Sequence, residues 1–220
     1  MKVNHQRVKF STLISATLLS LSCLTLPSLS AHAESNDSLM KKGMWKDPQT
    51  GLIWMRCSIG QEWNGSTCIG TPIEFNWKDA NAYFELFNEQ VAFGGKRDWR
   101  LPSIDELSTL RKCSKGWDRE NTVTIGNLTK STGNISMITI PKKSGGTKQV
   151  PRLCAYGSNK PTIIDTHIFP NTPTDPLYWS SSPDANNSSY AWGVSFYNGV
   201  DGNFEFKYYN GYVRAVRSGN

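Results

Sequence analysis

The last third of the chain groups amide, carboxylate and tyrosine side chains in two short segments. Sugar recognition uses flat aromatic faces against the apolar side of the sugar ring, and amides or carboxylates for its hydroxyl groups. The first segment has Asp184, Asn186 and Asn187, and the second has Tyr197, Asn198, Asp201 and Asn203, followed by Tyr208 and Tyr209. Asn and Asp also form turns without any ligand. We expect the two segments to meet at one edge of a sheet as a ligand-binding site.

The first 33 residues have the pattern of a secretory signal peptide. Basic residues precede an apolar stretch over residues 10–26, and Ala31-His32-Ala33 supplies small residues at the two positions that a signal peptidase reads. We predict cleavage before Glu34 and a mature chain without a membrane span, located in the periplasm, at the cell surface or outside the cell. The alternatives are an uncleaved anchor, for which the stretch is short and polar, and a lipid anchor on Cys23.

The charge of the mature chain is modest. The leader holds three of the 24 Lys and Arg residues and none of the 18 acidic residues, so the net charge falls from +6 to +3 on cleavage. Nucleic-acid binding normally shows a strongly basic domain or a long basic run, and neither is present. We therefore predict no nucleic-acid partner.

Four cysteines remain after cleavage, namely Cys57, Cys68, Cys113 and Cys154. An even number of cysteines in an exported chain indicates disulfides. We expect the pairs Cys57–Cys68 and Cys113–Cys154, because each pair is closest in sequence and flanks a turn-rich loop. The alternative is a four-cysteine metal site, but the spacings are wide and irregular, with no Cys-x-x-Cys motif. We therefore predict no metal site of this kind.

The sequence contains few candidate catalytic residues. A serine nucleophile would need a histidine base, and His167 is the single histidine after the leader, with no Gly-x-Ser-x-Gly motif. Asp184 and Asp201 could form an acid/base pair for glycoside cleavage, but the sequence does not set the distance between them. We predict no catalytic residue and no enzymatic activity.

The pattern of apolar residues predicts two helices and several strands. Apolar runs around Pro48-Gln49-Thr50-Gly51 predict a hairpin. Asn76 can cap one helix, and Ser103-Ile104-Asp105-Glu106 is a capping box for a second. From residue 178 onwards, Asn-Gly turns separate four strands, which we expect to form one antiparallel sheet packed on both helices. The predicted fold class is α+β, stapled by disulfides.

Two segments show no such pattern. Residues 34–44 are polar and predicted to be flexible, and residues 114–160 are predicted to form a long irregular loop. This loop carries a basic cluster of Lys142, Lys143, Lys148 and Arg152. The cluster is either a solvated surface or an attractor of acidic glycans.

Two arginines near the C-terminus also need partners. Arg214 and Arg217 lie three apart on a predicted strand, so they should point to opposite faces. We expect one of them to pair with Asp98 or Glu106 beneath the sheet. The alternative is that they bind a ligand.

Several runs, in this order, resemble one family. They are Thr50-Gly51-Leu52-Ile53-Trp54-Met55-Arg56-Cys57, Asp98-Trp99-Arg100-Leu101-Pro102-Ser103, Tyr178-Trp179-Ser180-Ser181-Ser182 and Tyr212-Val213-Arg214. Over residues 45–220 the chain resembles the Lcl C-terminal domain, a bacterial C-type-lectin-like family named for a collagen-like adhesin. The resemblance implies a C-type-lectin-like fold with its chain ends close together, and founding members are linked to adhesion and to sulfated glycans.

The chain departs from two groups of related proteins. It lacks the Glu-Pro-Asn and Trp-Asn-Asp triplets of calcium-dependent lectins, so we expect no cofactor and keep calcium as the one ion to test. Formylglycine-generating oxidases of the same fold class use a reactive cysteine pair, whereas all four cysteines here are assigned to disulfides.

The sequence therefore predicts an exported, non-catalytic module for adhesion or for recognition of glycans, including sulfated glycans. The alternative is a structural component of a surface apparatus that binds a protein partner. The sequence makes no prediction of oligomeric state.

Overall fold

The computed structural model describes residues 34–113, 122–125, 128–131, 137–141, 146–151, 164–199 and 201–219. The chain divides into the units Met1–Ala33 and Glu34–Asn220, and the predicted leader lies outside the described residues. The helices and strands in chain order are α1 (Asn36–Lys41), β1 (Met44–Lys46), β2 (Ile53–Met55), β3 (Glu62–Trp63), β4 (Cys68–Ile69), α2 (Trp77–Gln90), α3 (Ile104–Ser108), β5 (Thr122–Ile125), β6 (Leu128–Ser131), β7 (Met137–Pro141), β8 (Thr147–Pro151), β9 (Tyr178–Pro183), β10 (Tyr190–Val194), β11 (Asp201–Phe206) and β12 (Val216–Arg217). The structure is therefore a mixture of helices and small antiparallel sheets, as the α+β prediction requires.

The first sheet joins the two ends of the described unit. Strand β2 lies between β1 and β12, and both pairings are antiparallel. Trp54 is the centre of the sheet, opposite Trp45 on one side and Val216 on the other, and it is fully buried. The predicted hairpin around Pro48 is confirmed as β1 and β2.

Residues 34–44, predicted to be flexible, contain the helix α1, which has both a cap and a tether. The Ser35 hydroxyl accepts a hydrogen bond from the Ser38 amide, which caps the helix. The Asn36 side chain exchanges two hydrogen bonds with the backbone of Lys46, at 2.9 and 3.1 Å. Leu39 is buried in the core. The prediction from the polar composition of this segment overlooked one apolar anchor, one helix cap and one tether.

Both predicted helices are confirmed, with their caps. The Asn76 side chain accepts a hydrogen bond from the Asp79 amide and begins α2, whose buried stripe is Ala80, Phe84 and Phe87. Ser103 and Glu106 form the reciprocal capping box of α3. These signals are local in sequence, so they can be identified without knowledge of the tertiary structure.

The second sheet has three strands in the order β11-β10-β9, not the four that the sequence predicts. After β11 the chain returns to the free edge of β9, where Tyr212 forms a parallel bridge with Tyr178. It then continues to β12 in the first sheet. Val213, Ala215 and Val216 are all fully buried. A surface strand alternates between buried and exposed residues, whereas this segment runs through the core.

The predicted irregular loop contains two hairpins. Strands β5 and β6 pair with each other, and so do β7 and β8. The prediction of an irregular segment is therefore wrong for these residues. It followed the high content of Gly, Ser and Lys and overlooked short runs of β-branched residues. Lys148 lies in β8, while Lys142, Lys143 and Arg152 lie outside the described residues.

The first predicted disulfide, Cys57–Cys68, is confirmed. Cys113 is also disulfide-bonded, and its predicted partner Cys154 lies outside the described residues.

Arg214 is fully buried and lies between aromatic rings. Its guanidinium carbon is 4.7 Å from the ring centre of Phe169 and 5.5 Å from that of Tyr178. Nη1 donates to the carbonyl oxygens of Met55 and Arg56. Nη2 donates to Thr172 Oγ1 at 2.8 Å and to Ser58 Oγ at 3.4 Å. Burial lowers the pKa of Arg214, because the charged form has lost its water.

The other arginines of this region form ion pairs. Arg217 Nε donates to Asp98 Oδ1 at 2.8 Å, so one expected partnership is confirmed. Glu106 pairs instead with Arg100, through two hydrogen bonds of 2.7 Å. Burial acts to raise the pKa of Glu106, but the hydrogen bonds from Arg100 and the Ser103 amide outweigh it and hold the pKa below 4.5.

The substitution Thr172→Val should test the setting of Arg214. The Thr172 hydroxyl accepts from Arg214 and donates to the Phe169 carbonyl oxygen, and valine keeps the shape while removing both bonds. We expect the free energy of unfolding in urea to fall by about 1–3 kcal/mol, because a buried cation loses an acceptor.

The matched control is Thr174→Val on the same segment, where we expect a change within about 0.5 kcal/mol. Equal stability of the two variants would show that the Thr172 hydroxyl does not support the buried guanidinium.

The substitution Glu106→Gln should separate the ion pair from the helix cap. Glutamine can still accept the Ser103 amide in a capping box, but it loses the charge and one of the two oxygen atoms that accept from Arg100. Because the folded pKa of Glu106 is lowered, its contribution is present above the unfolded pKa and is lost as pH falls through the folded pKa. We expect a loss of about 1 kcal/mol near pH 7, after allowing for solvent screening at the half-exposed Arg100.

Urea unfolding at neutral and acidic pH would measure this difference. It should shrink as pH falls below the ordinary pKa of glutamate and through the lower folded pKa, because Glu106 then becomes protonated in both states. The control is Glu85→Gln, an exposed residue of α2. A Glu106→Gln deficit that stays constant with pH would contradict the assignment to the charge.

Candidate functional site

A cavity of about 500 Å³ lies on the face of the second sheet. Its floor is a row of three residues in register across the sheet, with Trp179 of β9 opposite Gly193 of β10, and Gly193 opposite Gly202 of β11. Glycine adds no side chain to either face, so two neighbouring glycines leave a depression in the sheet. We call this space the sheet cavity.

Gly193 is required by a close approach rather than by its backbone angles. A Cβ atom on this residue would collide with the Leu177 side chain and would lie 2.9 Å from the Tyr178 carbonyl oxygen. Gly211 has a similar constraint, because a Cβ there would lie 2.9 Å from Trp179 Nε1. The two glycines allow neighbouring segments to pack directly on the sheet.

The walls of the sheet cavity come from two segments that flank the floor. One wall is Asp175, Pro176 and Leu177, which precede β9, and the other is Tyr209 and Asn210, which follow β11. Ser195 and Asn198 close the end at the turn after β10. The cavity therefore presents a carboxylate, two amides, a hydroxyl and a tyrosine, and it is partly open to solvent.

The field around this wall is acidic. Burial raises the pKa of Tyr212, which follows Asn210 and Gly211, and the negative charges of Glu74 and Asp175 raise it further. Among the described residues, neither carboxylate has a hydrogen-bond or ion-pair partner. Both are therefore free to accept hydrogen bonds.

Tyr209 belongs both to the sheet cavity and to an exposed aromatic cluster. This aromatic cluster consists of Tyr190, Phe206, Tyr208 and Tyr209, with neighbouring ring centres 4.5–5.7 Å apart. Tyr208 and Tyr209 remain 67% and 47% exposed. A hydrogen bond with Tyr209 raises the pKa of Tyr208. The phenol rings therefore extend the cavity wall as an exposed aromatic surface in which Tyr208 and Tyr209 meet edge to face.

The first predicted segment is explained by its own turn. Asp184 Oδ1 accepts a hydrogen bond from the Asn186 amide at 2.9 Å, and Asn187 Oδ1 accepts one from the Ser189 amide at 3.0 Å. Asp184 is buried. The side chains of Asp184 and Asn187 therefore shape the connection from β9 to β10, and none of the three predicted residues lines the sheet cavity.

The two predicted segments lie at opposite ends of β10. Residues 184–189 precede this strand and residues 195–199 follow it. In an antiparallel meander, successive turns alternate between the two ends of the sheet, so the expectation that they meet at one edge is wrong. Asp201 and Asn203 lie in β11 rather than in a loop, and their side chains are outside the described part of the chain.

Asn198 and Tyr209 are the predicted residues that line the sheet cavity. Tyr197 is 53% exposed but is not part of the lining. The sequence analysis missed Asp175, Asn210 and the glycine pair. Asn210 was visible as part of an Asn-Gly turn, but the pairing of Gly193 with Gly202 depends on strand register, which the sequence does not show.

A second cavity of about 350 Å³ lies between the disulfide-bonded loop and the C-terminal part of α2. Its lining is largely aromatic and aliphatic, including Ile59, Trp63, Phe87 and Phe93. Its cation, Lys42, forms an ion pair with Glu34 at 2.7 Å. Its lining also includes Ser58, Gln61 and Glu62, but its surface is more apolar than that of the sheet cavity.

The described residues show neither a cluster of metal ligands nor a membrane-spanning helix. No three His, Cys, Asp or Glu side chains within the described ranges are grouped so that they could hold a metal ion. In the same residues, no helix has the length and apolar character needed to cross a bilayer.

Comparison with known proteins identifies the family. No curated protein and no solved structure matched the chain. A family model described as the Lcl C-terminal domain matches residues 43–217, which contain every described strand and the Cys57–Cys68 disulfide. The chain belongs to the Lcl C-terminal domain family.

Proposed function

We propose that this protein is an exported, non-catalytic module that recognises glycans through the sheet cavity. The observation that carries the proposal is the combination of a concave polar site with a tyrosine wall. Tyr209 can pack against the apolar face of a sugar ring, while Asp175 and the amides of Asn198 and Asn210 can bind hydroxyl groups. Export is supported by the leader pattern and by the disulfides.

A C-type-lectin-like fold is part of this proposal. It is supported by the family membership and by the mixed helices and antiparallel sheets. The ends of the described unit also lie side by side, with β1 and β12 flanking β2. The fold by itself would not specify a ligand, so the argument for glycans depends on the cavity.

The lining supports binding rather than cleavage. Glycoside hydrolysis uses a pair of carboxylates on either side of the scissile bond. Among the described lining residues, Asp175 is the single carboxylate. The pair Asp184 and Asp201 is not supported as a catalytic dyad, since Asp184 is buried in its own turn and does not line the cavity.

The alternative is a component of a surface apparatus that binds a protein partner. The aromatic cluster supports it, because Tyr208 and Tyr209 are large, exposed and adjacent. Tyrosine-rich surfaces are common in protein interfaces. The two functions predict different roles for Tyr208, which belongs to the cluster but not to the lining of the cavity.

The substitution Tyr209→Ala should weaken glycan binding by about tenfold, because an aromatic stacking contact contributes about 1 kcal/mol or more. The measurement is a glycan array followed by calorimetry on the exported, oxidised protein. The unmodified protein and the variant should both be measured with and without calcium, which tests whether binding depends on this ion.

The matched control is Tyr197→Ala, because Tyr197 is similarly exposed but does not line the cavity. We expect it to bind like the unmodified protein. If folded protein binds no glycan, the proposed function fails. Capture of a single envelope protein that is lost in Tyr208→Ala would then establish the alternative.

A further inference from the structure

The described lining of the sheet cavity carries a negative charge. Asp175 is the only Asp, Glu, Lys or Arg among its described lining residues. Glu74 adds a second negative charge close enough to act on Tyr212, as Asp175 does. The described lining therefore combines free carboxylate oxygen atoms with neutral amides, and none of its described residues carries an ammonium or guanidinium group.

The cations on neighbouring segments are held by other groups. Lys207 Nζ lies 4.4 Å over the Trp77 ring and donates to the Ser188 carbonyl oxygen at 2.7 Å. Arg111 is buried and donates to the Gly199 carbonyl oxygen at 3.0 Å. Neither is among the described lining residues, so Asp175 is the charged group that a ligand in the cavity would contact directly.

An ionised carboxylate accepts hydrogen bonds and cannot donate them. Sugar hydroxyls can donate to Asp175, and charge-assisted bonds of this kind are stronger than neutral ones. A sulfate ester or a uronic acid offers acceptors and a negative charge at the same place. Such a group would lose its water and face a like charge.

We propose that the sheet cavity takes an uncharged sugar unit, whose hydroxyls donate to Asp175, and that it rejects sulfated and carboxylated sugars. This inference rests on the proposed glycan recognition and specifies its substrate class. It differs from what the family resemblance implied, because the charge at this cavity is opposite to the charge that a sulfated ligand needs.

The test uses neutral hexasaccharides of glucose, mannose, galactose and N-acetylglucosamine, each with a chemically sulfated counterpart. The full chain is expressed, exported and purified in oxidised form, and affinities are measured by calorimetry. We consider only binding that Tyr209→Ala removes, because this restricts the comparison to the sheet cavity. We expect at least one neutral hexasaccharide to bind about tenfold or more tightly than its sulfated counterpart.

The substitution Asp175→Asn should lower the affinity for the neutral hexasaccharide. The ratio of this affinity to the affinity for the sulfated hexasaccharide should fall towards one. The matched control is Glu85→Gln, which changes the net charge equally at an exposed position on α2. That variant should keep both the affinity and the preference.

Two outcomes would overturn the inference in different ways. If Tyr209-dependent binding favours the sulfated hexasaccharide, or if Asp175→Asn leaves the preference unchanged, the cavity binds glycans but the charge argument is wrong. If the folded protein binds no member of either set, the proposed function itself fails, and the inference fails with it.

Discussion

The buried guanidinium of Arg214 is the interaction on which the rest of the described unit depends. A cation without water needs acceptors, and here Nη1 and Nη2 find them on segments far apart in sequence, while Nε has no hydrogen-bond partner among the described residues. The carbonyl oxygens of Met55 and Arg56 lie at the end of β2, and the Thr172 hydroxyl lies on the segment before β9. Aromatic rings of Phe169 and Tyr178 enclose the same group. Arg214 therefore fixes how the first sheet, the second sheet and the connecting segment pack together.

The same interaction positions both walls of the sheet cavity. Asp175 follows Thr172 by three residues, so the hydrogen bond to Arg214 anchors the wall that carries the free carboxylate. Asn210 precedes Arg214 by four residues, and the chain between them is held where Tyr212 meets Tyr178. Gly211 permits that crossing, since a side chain would collide with the Trp179 indole. The position of both cavity walls thus depends on the core contacts of Arg214 and Tyr212.

The sequence predicted the parts of this structure that are encoded locally. Asn76 and Ser103 show their helix caps within four residues, and the turn at Pro48 lies between its two strands. The prediction of a fourth strand in the second sheet was wrong. The residues around Val213 are buried and apolar, and that composition fits a surface strand as well as a segment that crosses the core. The cavity floor could not be predicted either. Gly193 and Gly202 become neighbours through register, which depends on pairing between strands.

Net charge and site charge are different quantities in this protein. Residues 34–220 carry three more basic than acidic side chains, which fits an attraction to acidic glycans only if the surplus lies at the binding site. Charges in direct contact with a ligand act on it most strongly, because exposed charges farther away than about 8–10 Å are screened at physiological salt. The charged residue in the described lining of the sheet cavity is Asp175. The inferred preference for uncharged sugars therefore depends on this carboxylate and not on the net charge of the chain.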